Sequence, residues 1–272
     1  MKEIEMAQVG AFPAYDQPPV AEVALAIQLE SAIGFRSFQL GQIAENWTSE
    51  LPIVQERPAL PPMVIQPEAP SLALHVSGEA ETPRLWLMSE AGDRLVQIQQ
   101  DRLVVNWRKL PIDTPYPHYS AIREFLVDTW QKLGRTTERM GLGVPQPSVC
   151  EVVYVNHIGV ESDWNSAADT STVIAPWSGL MSDDFLPPVS QAGFFLRYQL
   201  PDGYGWLTID GQSVSVNNNE DQFVVNMVSR GPAISPDLNG ALGFMDIAHE
   251  WIVRGFTSVT TPEAHEAWRR TI

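Results

Sequence analysis

The chain has 272 residues, 44% hydrophobic and 18% charged, with nine Trp and ten Phe, an apolar supply that fills a core and excludes a disordered chain. Seventeen basic against thirty-three acidic residues leave a net charge of −16, which repels phosphate backbones and argues against direct nucleic-acid binding. No apolar run is long enough for a membrane span, and the single cysteine, Cys150, excludes an intramolecular disulfide.

Met1-Lys2-Glu3-Ile4-Glu5 lacks the apolar stretch of a signal peptide, and with one cysteine this predicts a cytoplasmic protein. Residues 1–17 read as a polar lead-in, mobile or draped over the body. A strand from Glu22 to Leu29 carries apolar residues on both parities, as a strand buried on both faces does. A helix is expected from Ser37 to Glu50. The Pro-rich stretch from Leu51 to Pro70 predicts an extended connection, because each Pro removes a backbone donor. Strands follow at Leu72–Val76, Arg84–Ser89, Leu95–Gln100 and Leu103–Arg108, with a hairpin turn at Ala91-Gly92-Asp93. The stripe Ile122, Phe125, Leu126, Trp130 and Leu133 predicts a helix from Ser120 to Leu133 with one face on a sheet.

Gly141, Gly143, Pro145 and Pro147 mark a join. Beyond it a strand is read at Glu151–Asn156, then a short helix near Pro176–Ser182. Strands are expected at Gly193–Leu200, Gly205–Asp210, Ser213–Val216 and Gln222–Ser229. Asp237 caps a long helix through Leu242, Met245, Ile252 and Phe256, and Thr261-Pro262-Glu263 opens a last short one.

The run Asp101, Leu103, Val104, Val105, Asn106 returns as Asp221, Phe223, Val224, Val225, Asn226, an offset of 221 − 101 = 120 residues. Each copy precedes an amphipathic helix. The fold class is therefore read as α+β, a duplicated strand–helix–antiparallel meander–helix unit, with TATA-binding-protein-like or helix-grip-like halves. Its parts are the lead-in 1–17, a first half 18–140 and a second half 141–272.

Several elements together carry a resemblance. Pro18-Pro19 with Glu22-Val23, Gln97-Ile98-Gln99 before Asp101-Arg102, Asn106-Trp107-Arg108-Lys109, Tyr116-Pro117-His118-Tyr119 and Glu151-Val152-Val153-Tyr154-Val155-Asn156 resemble a sporadically distributed bacterial family of about this length and of unknown function. The likeness covers nearly the whole chain. It implies a cytoplasmic bacterial protein with no known cofactor, and a patchy occurrence typical of mobile or defence-associated genes. It supplies no catalytic residues.

Motifs for chemistry are largely missing. The His-Glu-x-x-His zinc pattern is absent, and His249-Glu250 and His265-Glu266 are adjacent pairs whose side chains diverge on a helix, so no metal site is read. Cys150 and His157 lie seven residues apart, roughly 23 Å along a strand, beyond a nucleophile–base hydrogen bond. There is no Gly-x-Ser-x-Gly elbow or phosphate-binding Gly-rich loop. What remains is a sheet face: strand parity places Gln97, Gln99, Asn106, Arg108 and Asn226 together as a polar surface for a ligand or partner.

These readings favour a non-enzymatic binding or interaction protein without a cofactor. It would recognise a protein partner, a second copy or a small molecule, through the sheet face or the groove between halves. The setting would be a bacterial defence or toxin–antitoxin system. The alternative is a hydrolase or nuclease with a dispersed Asp, Glu and His site, which asks for one cavity holding two carboxylates and a His.

Overall fold

The computed structural model describes residues 12–65, 82–110, 115–177, 185–216 and 220–272, and within them the chain is α+β, nine antiparallel strands in one sheet with five helices. The elements in chain order begin with β1 (Val20–Leu29), α1 (Ser37–Ala44), β2 (Ile53–Arg57), β3 (Arg84–Met88), β4 (Arg94–Gln99), β5 (Arg102–Arg108) and α2 (His118–Arg139). Then come β6 (Pro147–Ile158), α3 (Thr170–Val173), β7 (Gly193–Gln199), β8 (Trp206–Val216), β9 (Glu220–Pro232), α4 (Leu238–Val259) and α5 (Pro262–Ala267). Across the sheet the order is β2-β3-β4-β5-β1-β6-β9-β8-β7. The meander β3–β4–β5 returns to β1, the meander β7–β8–β9 returns to β6, and β1 and β6 join the two groups in register, Val23 opposite Tyr154 and Ile27 opposite Cys150.

Helices α2 and α4 lie side by side on one face, α2 over β5 and β1, α4 over β6, β9 and β8. Parity decides which side chains meet them. Val23, Leu25 and Ile27 of β1, Leu103, Val105 and Trp107 of β5, and Phe223, Val225 and Met227 of β9 all belong to one continuous core with Leu126 and Trp130 of α2 and Met245 and Ile252 of α4. The alternate residues of each strand face away from the helices.

Several boundaries differ from expectation. The first helix stops at Ala44 rather than Glu50, because Asn46 Nδ2 donates to the Ile43 carbonyl at 2.7 Å and ends it. The Pro-rich connection contains an unforeseen edge strand, β2, which pairs with β3 and stops before Pro58. Helix α2 runs on to Arg139, and the strands read at Gly205 and Ser213 are a single strand, β8. The short helix expected near Pro176 is instead α3, upstream at Thr170–Val173; 178–182 lie outside the described residues, as does the strand read at Leu72–Val76. The helix starts were legible: Asp237 Oδ1 accepts from Gly240 N at 2.8 Å and Thr261 Oγ1 from Ala264 N at 3.2 Å.

Candidate functional site

The face turned away from the helices carries the residues singled out in the sequence. Gln97 and Asn106 are buried there, and Gln97 Nε2 donates to Asn106 Oδ1 at 2.7 Å. Asn106 in turn donates to Glu22 at 2.6 Å, Arg108 pairs with the same carboxylate at 3.3 Å, and Arg84 donates to Gln97 at 2.8 Å. Trp86 sits among these groups, its ring centre 4.8, 5.5 and 5.1 Å from the guanidinium carbons of Arg57, Arg84 and Arg108. Gln97, Asn106 and Arg108 thus form one network. The remaining two residues lie elsewhere.

Gln99 is buried under the chain's own backbone, accepting from Leu60 N and donating to the Leu60 carbonyl, both at 3.0 Å. Gln28 treats Met63 in the same way, Arg102 donates to the Pro61 carbonyl, and Arg230 donates to the Val64 carbonyl at 2.9 Å. Residues 60–64 are held as a strap across the sheet, with Met63 packed on Ala24, Ala26 and Val104. Asn226 stands apart on β9, 3.4 Å from Asp210 of β8. Over the first half of the sheet, the polar groups of this face are bonded largely to one another and to the strap.

The helix face holds a cavity of about 570 Å³, between α2 and α4 and above β6. Four parts of the chain converge on it. Residues 14–17 are fixed against the C-terminal residues, with Asp16 N donating to the Arg269 carbonyl at 3.1 Å and Thr271 N to that of Ala14 at 2.9 Å. That anchorage brings Phe12 and Tyr15 to the cavity wall, Tyr15 held through its hydroxyl, 2.7 Å from Thr257 Oγ1. The segment entering α2 supplies Tyr116 and Tyr119, and between them His118 adopts φ 63, a left-handed conformation that a non-glycine residue takes only when its surroundings hold it there. Strand β6 supplies Tyr154, on the parity of Cys150 and Val152, and α4 supplies His249.

These side chains are joined. The Tyr116 and Tyr154 hydroxyls are 3.0 Å apart, and the Tyr154 hydroxyl is 3.0 Å from His249 Nδ1. Tyr119 stacks on the His249 ring at 4.0 Å with 6° between planes, and its hydroxyl donates to Asp246 at 2.8 Å. Arg123 grips both oxygens of Asp246, at 2.8 and 3.0 Å. Glu250, at the same wall, pairs with Arg254 at 3.0 Å.

Burial sets the charge states. It lowers the His249 pKa to about 4, against a smaller opposing pull from Asp246, so the imidazole is neutral at pH 7. It raises Tyr116 to about 12 and Tyr154 well above the usual phenol range. Tyr119 is raised too, by burial first and then by the Asp246 carboxylate. Beside the arginine-paired carboxylates of Asp246 and Glu250, the cavity therefore presents neutral hydroxyls and a neutral imidazole within walls that include Ile252, Val253 and Phe256. Cys150 is buried in the core, its thiol pushed up to about 12 by burial, which leaves no thiolate for nucleophilic chemistry. Among the described residues no group of three or more His, Cys, Asp and Glu could hold a metal ion, and no helix is long and apolar enough to cross a membrane.

No family model, curated protein or solved structure matches the chain.

Sequence reading did not assign this cavity, although it had singled out the Tyr116-Pro117-His118-Tyr119 and Tyr154 elements. One signal was available. Leu242, Met245, Ile252 and Phe256 form the α4 stripe, and His249 fills the gap at its centre.

Proposed function

We propose that the protein is a non-enzymatic ligand-binding protein that takes a small, largely apolar molecule into the cavity between α2 and α4. The observation that carries the reading is the cavity itself, about 570 Å³ with apolar walls and a few converging polar groups, the usual make-up of a small-molecule site. Over the first half of the sheet, the outer face has less to offer, since its polar side chains are already bonded to one another and to the strap.

The architecture proposed with it is a duplication, halves 18–140 and 141–272 on a TATA-binding-protein-like plan. It is supported by the sheet order, in which each meander returns to its own first strand and the two first strands meet. On this plan the cavity is the groove between halves. Membership of the sporadically distributed bacterial family, with a cytoplasmic, defence-associated role, belongs to the same proposal and rests on the elements named above.

A hydrolase reading has one specific observation in its favour: Asp246, His249 and Glu250 line the same cavity. Against it, both carboxylates are held by arginines, and the hydroxyl touching His249 is a tyrosine whose pKa is raised, opposite to what an activated nucleophile needs.

Fluorescence titration with N-phenyl-1-naphthylamine, a neutral apolar probe, tests the binding reading. Saturable one-to-one binding is expected, and Val253→Trp, which fills the cavity, should abolish it. Unsaturable binding, or binding indifferent to Val253→Trp, removes the cavity from consideration. Probe or extracted ligand recovered chemically altered would move the assignment to the hydrolase.

A further inference from the structure

We propose that the ligand is an uncharged ring compound bearing a hydroxyl group, a phenol or apolar alcohol, anchored by its oxygen at the end of the Tyr116–Tyr154–His249 chain. The inference rests on the cavity reading above and narrows it to a chemical class.

The chain of hydrogen bonds has a direction. A neutral imidazole offers one donor and one acceptor. If Nδ1 accepts, Tyr154 donates to His249, Tyr116 donates to Tyr154, and the Tyr116 oxygen is left able only to accept. If Nδ1 carries the proton, each bond reverses and the Tyr116 hydroxyl is left to donate. Both arrangements fit the 3.0 Å separations. A ligand hydroxyl satisfies either one, because it both donates and accepts; a carbonyl satisfies only the second, and a plain hydrocarbon neither.

The cavity's charges exclude anions. Asp246 and Glu250 line it, the tyrosines remain protonated, and the nearby guanidiniums of Arg123 and Arg254 are engaged with those two carboxylates. A carboxylate or phosphate would enter an apolar space facing two acids whose arginine partners are already engaged. The walls themselves suit a ring. Phe12 meets His249 edge-to-face at 6.0 Å and Tyr119 stacks on the same ring at 4.0 Å, so aromatic faces and edges line the space.

Three compounds of one shape separate the possibilities: naphthalene, 2-naphthol and 2-naphthoate, titrated at pH 7 against the wild type, Tyr116→Phe and Tyr154→Phe. Naphthol should bind about tenfold more tightly than naphthalene, the worth of a well-made buried hydrogen bond, and naphthoate should bind more weakly than either. Tyr116→Phe should bring naphthol down to the affinity of naphthalene while leaving naphthalene unchanged, which also shows that the variant is folded. Tyr154→Phe, which cuts the chain at its middle, should do the same in part. Equal affinities for naphthol and naphthalene in the wild type, or tightest binding by naphthoate, overturn the hydroxyl assignment and leave the cavity reading intact. Failure of both uncharged compounds to bind overturns the two together.

Discussion

His249 shows what a single buried imidazole contributes in this protein. Its pKa of about 4 in the folded chain lies below the ordinary 6.5, so between those values the unfolded chain binds the extra proton. Stability from this group is complete above pH 6.5 and is lost as pH falls toward 4. Discounted for the ring's partial exposure, the loss is roughly 2–3 kcal/mol. Urea unfolding at pH 7.5 and pH 5 should show a steeper fall for the wild type than for His249→Gln, which has no such proton to gain. Parallel pH profiles would mean that the imidazole titrates normally. The residue also shows why the site was hard to read in sequence. Tyr116, Tyr154 and His249 are distant in the chain, and no spacing rule connects a loop, a strand and a helix. The apolar stripe of α4 pointed to His249 only by leaving a gap at its position.

At the scale of elements, periodicity was a good guide wherever one face is buried. The α2 stripe predicted that Trp130 packs on the sheet, and Trp130 is in the core with Leu126 and Leu133. Replacing Trp130 with Ala should cost about 3–5 kcal/mol, read as a lower urea midpoint with an unchanged slope; a loss under about 1 kcal/mol would mean that the ring contributes little packing. Alternation also put Asn106 and Arg108 of β5 on one polar face, and the structure has them there, with Leu103, Val105 and Trp107 in the core on the opposite side. Alternation could not show what covers that polar face. The strap at 60–64 is held by bonds from Gln28, Gln99, Arg102 and Arg230 to its backbone, and such bonds leave no pattern in the strap's own side chains. Nor did propensity reveal β2, whose stretch is flanked by prolines and whose place was decided by the free edge of β3.

For the whole molecule, the repeated Asp-to-Asn run led to the expectation of a duplicated unit, but it did not show that one antiparallel sheet runs through all nine strands. The contact that unites them is β1 against β6, pairing Val23 with Tyr154 and Ile27 with Cys150. Every other neighbouring pair of strands except β1–β5 and β6–β9 is also consecutive in the chain. The middle of the sheet is therefore its most non-local part, and closing it means ordering the longest loop between any two paired strands of the sheet. Refolding followed by pulsed hydrogen exchange should protect amides in β3–β4–β5 and β7–β8–β9 early, and those bonding β1 to β6 in a later, slower phase. Simultaneous protection throughout would show that the seam forms within the nucleus. The cavity depends on that seam, since Tyr116 belongs to the first group of elements while Tyr154 and His249 belong to the second. A chain whose two groups had each formed but not yet joined would possess nearly all its secondary structure and none of its binding capacity, so competence to bind should lag behind the far-ultraviolet signal.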